Sequence, residues 1–70
     1  MNRGEKHLVD WQHKMSGSFF TKLFDCMASA DAENLEHMRL AFPEEADAMY
    51  RFKNQEGYWE ALLAESLLRR

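Results

Sequence analysis

The chain of 70 residues contains one valine, Val9, and no isoleucine. Strands draw on β-branched and aromatic side chains that pack on a pleated surface. The residues that dominate here are Ala, Leu, Met, Glu, Lys, Arg and Gln, which lose least on entering a helix. This shortage of strand material directs the chain to an all-α fold. Its length permits one domain, spanning residues 1–70. A chain of this size buries only about 60% of the surface its unfolded form exposes, so its core is small. Cys26 is the sole cysteine, which excludes an intrachain disulfide and suits a reducing compartment. Helix packing or a partner chain must then stabilise the fold.

Apolar spacing divides the chain. Leu8, Trp11 and Met15 fall three and four apart and predict a helix over residues 5–15, with residues 1–4 frayed. Ser16-Gly17-Ser18 interrupts that pattern, with Gly17 suited to stop one helix and Ser18 to cap the next. Phe19, Phe20, Leu23, Phe24 and Met27 form the broadest apolar stripe and predict a second helix over residues 19–29. Asp31 reads as an N-cap for a third segment, faced by Leu35, Met38 and Phe42. Pro43 disfavours helical geometry at Phe42 yet fits a first helical turn itself. Glu44, Glu45 and Asp47 then sit where acids favour the helix dipole, and Ala46, Met49 and Tyr50 continue the face. Gly57 is expected to end this helix, and Trp59, Leu62, Leu63 and Leu67 mark a last segment over residues 58–68. The expectation is a compact bundle of four to five short helices, with Gly57 either separating two helices or bending one.

The formal charge is −3, which argues against generic nucleic-acid binding. No apolar run approaches the roughly 20 residues that span a bilayer, and the first residues lack the apolar core of a secretory leader. A cytoplasmic protein that does not enter membranes is expected. Charge is concentrated in the middle: residues 31–47 hold six acids (Asp31, Glu33, Glu36, Glu44, Glu45, Asp47) and one base, Arg39.

No constellation of catalytic parts is evident. His7, Asp10 and His13, or Glu33 and His37, have helical spacing, but a structural zinc site wants four ligands and usually cysteine. Surface histidines and a buried, inert Cys26 are the simpler expectation. Asp25 beside Cys26 also disfavours a reactive thiolate. First-turn positions account for Glu44 and Glu45 without acid–base chemistry, and no glycine-rich phosphate loop exists. Neither enzyme activity nor a metal or other cofactor is expected. Surface recognition is the remaining signal. Trp11, Tyr50 and Tyr58 are large amphipathic side chains of the kind that anchor interfaces, whereas Trp59 within its stripe reads as core. The acids Glu33, Glu36, Glu44, Glu45 and Asp47 suit docking on a basic protein surface.

The stretches Gly17-Ser18-Phe19-Phe20-Thr21-x-Leu23-Phe24, Ala30-Asp31-x-x-Asn34-Leu35, Ala41-Phe42-Pro43-Glu44-Glu45 and Gly57-Tyr58-Trp59-Glu60 resemble small helical proteins encoded on phages and other mobile elements of bacteria. The resemblance covers about residues 17–63. That group has no assigned chemistry, so no catalytic residue carries over. The resemblance implies a bacterial host cytoplasm and an accessory gene whose product binds a host protein, including the defence nucleases that phages must disarm. The expected function is a non-catalytic module that docks on a larger host protein, one with a basic nucleic-acid-binding surface, and modulates or inhibits it. An anti-CRISPR-like factor is the specific version. The alternatives are a homo-oligomeric accessory protein and, behind it, a helix-turn-helix nucleic-acid binder using Arg69 and Arg70.

Overall fold

A computed structural model describes residues 1–68, which form five helices and no strand: α1 (Arg3–Gln12), α2 (Ser18–Ser29), α3 (Ala32–Ala41), α4 (Pro43–Asn54) and α5 (Tyr58–Leu68). The all-α bundle and the α5 limits agree with the apolar spacing. Four of the helix ends do not.

The chain does not fray over residues 1–4. The Asn2 side chain accepts from the Glu5 backbone N–H at 2.7 Å, and the Glu5 carboxylate accepts from the Asn2 N–H at 2.9 Å. This reciprocal box satisfies two amides that a helix start leaves orphaned. The Met1 ammonium pairs with Glu65 of α5 at 2.8 Å. Gly4 is buried against the start of α4, where a Cβ would lie 2.2 Å from the Glu44 carbonyl carbon and oxygen. Glycine is required there because two backbones touch.

Helix α1 stops before Gly17. Lys14 adopts φ 58°, its N–H donates to the Trp11 carbonyl, and the Met15 N–H reaches back to the Asp10 carbonyl at 2.8 Å. Those two bonds close a Schellman motif, with lysine where glycine is usual. Gly17 instead becomes the N-cap of α2, offering its carbonyl to Thr21 N–H at 3.0 Å. Ser18 is the first helical residue, not the cap. Gly57 likewise opens a helix rather than ending one. Helix α4 has already stopped at Asn54, and Gly57 (φ 81°) presents its carbonyl to Ala61 N–H at 3.0 Å. Residues 43–68 are therefore two helices.

Asp31 caps α3 as expected, accepting from Asn34 N–H at 2.8 Å. Phe42 serves two helices at once: its N–H donates to Met38 at 2.9 Å, closing α3, and its carbonyl accepts from Ala46 at 2.8 Å, opening α4. Pro43 follows as the first residue of α4.

Helix α4 is the hub, packing on α1, α2, α3 and α5, with its longest contact against α1. Its inner face is Ala46, Ala48 and Met49, met by Leu8 and Val9 of α1, Phe24 and Met27 of α2, Leu35 of α3, and Tyr58 and Leu62 of α5. The two alanines let neighbouring helices approach closely. Phe24 and Met27 are fully buried, each worth roughly 1.5–3 kcal/mol of transfer free energy. An aromatic seam ties four helices beside this core. Trp11 stacks on Phe24 at 5.7 Å and meets Phe52 edge-on at 6.0 Å, and Phe52 meets Trp59 at 5.9 Å. Such geometry adds about 0.5–1.5 kcal/mol per pair beyond burial.

Candidate interaction surface

The acids of residues 31–47 are mostly occupied within the fold. Asp31 is a cap. Arg39 donates to Glu36 at 3.1 Å and to Asp47 at 3.3 Å, and Arg51 donates to Asp47 at 3.0 Å. The Arg39 guanidinium also lies 6.0 Å from the centre of the exposed Tyr50 ring. Glu44 pairs with Arg3 at 3.6 Å. Arg3 and Arg51 thus bring the neighbouring charge of this segment from −5 to −3. Glu33 and Glu36 are exposed, Glu36 while accepting from Arg39.

Glu45 does not lie on the surface. It is 2% exposed, although its place in the first turn of α4 suggested a solvated acid. Packing of α1 on α4 covers it. Oε2 lies 3.0 Å from His7 Nδ1 and 3.7 Å from Arg3 Nε, while Oε1 has no hydrogen-bond partner among the described residues. The His7 ring stacks on Phe20 with centroids 3.9 Å apart. His7 is therefore an interhelical contact rather than a surface histidine. The Arg3 guanidinium and the His7 ring are the partners that offset the desolvation of a carboxylate otherwise costly to bury.

Tyr58 is also withdrawn from the surface. Its hydroxyl donates to Glu5 Oε2 at 2.7 Å, joining α5 to the capped end of α1. Burial, reinforced by that carboxylate, pushes the phenol well above its ordinary range. Trp11 is half-buried, and its indole N–H donates to Asp25 at 2.9 Å. Its outer edge borders an open cleft of about 540 Å³ between α1 and α2, lined also by Gln12, Lys14, Thr21 and Asp25. Tyr50, Glu33, Glu36, Glu44 and Asp47 thus remain at least partly accessible, and Trp11 through one edge. Arg39 brings Glu36, Asp47 and Tyr50 together, whereas Glu44 pairs with Arg3 and Trp11 with Asp25.

Sequence reasoning missed the open apolar groups. Phe19 is 59% exposed, and its ring rests on Phe20 at 5.2 Å and on Phe42 at 5.9 Å. The inward face of α2 is Phe20, Phe24 and Met27, and Phe19 lies beyond its edge, about 105° from its centre by the helical repeat. Cys26 is exposed for the same reason, contrary to the expected buried thiol. Met15 and Leu40 are open as well. Among the described residues, no three His, Cys, Asp or Glu side chains converge as metal ligands. No described helix is long and apolar enough to cross a membrane. Arg69 and Arg70 lie outside the described residues.

The fold thus defines a five-helix all-α domain with α4 at its hub. No protein-family model, curated protein or solved structure matches the chain.

Proposed function

We propose that this domain is a non-catalytic binding module that docks on a larger host protein and modulates or inhibits it. The observation that carries the reading is Phe19: a large aromatic side chain held open on a platform of Phe20 and Phe42. The fold has other uses for Trp11, Phe24, Phe52 and Trp59 and places them in the seam. A pre-ordered aromatic loses little side-chain entropy on binding, which suits an interface anchor. The exposed carboxylate of Glu33, with Glu36 beside it shared with Arg39, favours a partner with a basic surface, such as a nucleic-acid-binding protein. Glu44, Glu45 and Asp47 contribute less, because Arg3, His7, Arg39 and Arg51 engage them. The resemblance to phage and mobile-element proteins makes an anti-defence factor in a bacterial cytoplasm the specific form of this reading.

The test is affinity capture from nuclease-treated bacterial lysate with the wild type, with Phe19→Asp and with Glu33→Lys/Glu36→Lys. Thermal unfolding of each variant serves as the folding control. A protein recovered in stoichiometric amount by the wild type and lost with Phe19→Asp supports the reading. Equal recovery by Phe19→Asp, or loss of the partner on nuclease treatment, overturns it.

A further inference from the structure

The open cleft of about 540 Å³ between α1 and α2 is lined by two opposite charges, Lys14 and Asp25, that do not pair with each other. Lys14 is the one non-glycine residue with positive φ among the described residues. Glycine would close the same Schellman turn without strain, and strain kept at one residue points to a use for its side chain. Yet the Lys14 ammonium makes no hydrogen bond or ion pair among the described residues. Asp25 is held in place without being neutralised: its Oδ1 accepts from the Trp11 indole N–H at 2.9 Å. Glu44, Glu45 and Asp47 each face an arginine, whereas Asp25 pairs with no cation among the described residues. The Gln12 side chain is equally unbonded there, and the Thr21 hydroxyl makes only a long contact of 3.4 Å to the Ser16 carbonyl.

We propose that this cleft binds a free α-amino acid with an apolar side chain, its carboxylate on Lys14, its ammonium on Asp25 and its side chain along the outer edge of Trp11. Charge selects the ligand class. A phosphate would meet the Asp25 carboxylate, and a simple cation would meet the Lys14 ammonium. A zwitterion satisfies both through charge-assisted hydrogen bonds. An α-amino acid carries its two charges on one carbon, so it can bridge groups that share a cleft without reaching each other. Gln12 and Thr21 supply neutral polar partners, and the volume lies within the usual range of small-molecule sites, about 300–1,000 Å³. The helical repeat puts Thr21 and Asp25 about 200° and 240° around α2 from Phe19. The site is thus separate from the docking anchor and does not depend on it. An open cleft buries its ligand only in part, so binding is weak, with a Kd of about 0.1–1 mM.

Two-dimensional NMR of the backbone and indole N–H groups tests the proposal on the full chain, titrated with L-phenylalanine to about tenfold above the weakest expected Kd. Saturating shifts are expected at the Trp11 indole, Lys14 and Asp25. Glycine lacks the apolar side chain, N-acetyl-L-phenylalanine the ammonium and L-phenylalaninamide the carboxylate. Each should bind at least about tenfold more weakly than L-phenylalanine. Lys14→Gly removes the ammonium while relieving the turn, and Asp25→Asn removes the charge while keeping an acceptor for the Trp11 N–H. Both variants should stay folded in thermal unfolding and lose about tenfold or more in affinity. Absence of saturable shifts with L-phenylalanine, a blocked form that binds as tightly as the free amino acid, or either variant binding as the wild type does overturns the proposal.

Discussion

Replacing Gly4 by alanine sets two effects of opposite sign against each other. Alanine in a helix is favoured over glycine by about 1 kcal/mol, less near an end. On local grounds alone, Gly4→Ala should therefore stabilise α1. The new methyl carbon, however, would sit 2.2 Å from the Glu44 carbonyl and 2.6 Å from the Glu45 nitrogen. Those are backbone atoms of the hub helix, and no side-chain rotation relieves the clash. Ordinary carbon contacts are about 3.5–4 Å, so the α1–α4 crossing must open by over 1 Å. Opening it loosens Leu8 against Ala46 and Met49 and stretches the His7–Glu45 contact of 3.0 Å. Overpacking of this kind costs typically 1–3 kcal/mol, and the lost contacts place it at the upper end. The net expectation is a destabilisation of about 2 kcal/mol, or roughly 8–16 °C in Tm for a domain of this size. Urea unfolding of both proteins measures it directly. A neutral or stabilising Gly4→Ala would refute the close crossing and leave only the propensity argument standing.

Three further outcomes follow from the same geometry. His7→Ala should cost about 3 kcal/mol, because it leaves the buried Glu45 carboxylate with Arg3 alone. The double variant with Glu45→Ala should cost less than the sum of the single ones in a denaturation cycle, and simple additivity would show the two side chains to be uncoupled. Tyr58 keeps its proton to higher pH when folded than when unfolded, so its contribution is complete below the unfolded phenol range, near pH 10. Stability should fall above that range by up to about 1.4 kcal/mol per pH unit from this one proton. Tyr58→Phe should remove that component from a pH series of melting curves, and identical slopes for the two proteins would contradict the assignment. Lys14→Gly should stabilise by about 1 kcal/mol, since the Schellman position at φ 58° strains a side chain and not a glycine. A destabilised variant would mean that the lysine side chain contributes more than its backbone costs.

Local signals were the most legible ones. The shortage of β-branched residues, the Asp31 cap and Pro43 at a first turn each act within a few residues, and each reads correctly in isolation, whereas the α5 stripe does so only in part, since Leu67 is exposed and Tyr58 takes the inner face. The misreadings share a non-local cause. Residues 1–4 look frayed until the start of α4 is laid against Gly4 and Glu65 is brought to the Met1 ammonium. Glu45 looks like any first-turn acid, and only the placement of Arg3 and His7 by α1 makes it a buried group. Gly17 drew attention as a stop signal because lysine is an uncommon choice at a left-handed residue, and Lys14 had already taken that role. The division of the aromatics was beyond a linear pattern as well. Phe19 and Phe20 are neighbours in one stripe, but 100° of helical turn separates an anchored ring from an open one. Tyr58 went inward because Glu5, brought to it by the Asn2 box, could accept its hydroxyl.

The sharing of Phe42 between α3 and α4 makes that corner behave like a gear with no free play. Its N–H closes one helix and its carbonyl opens the next, so no residue is left to absorb a change in length. One residue inserted there would turn α3 by about 100° relative to the hub, carrying Leu35 out of the core and uncoupling Arg39 from Asp47. The link from α2 to α3, made by Ala30 and Asp31, holds the other end of the same helix almost as tightly. Helix α3 is thus clamped in phase at both ends, and length changes in this chain should be confined to the longer α1–α2 connection, where residues 13–17 carry the slack.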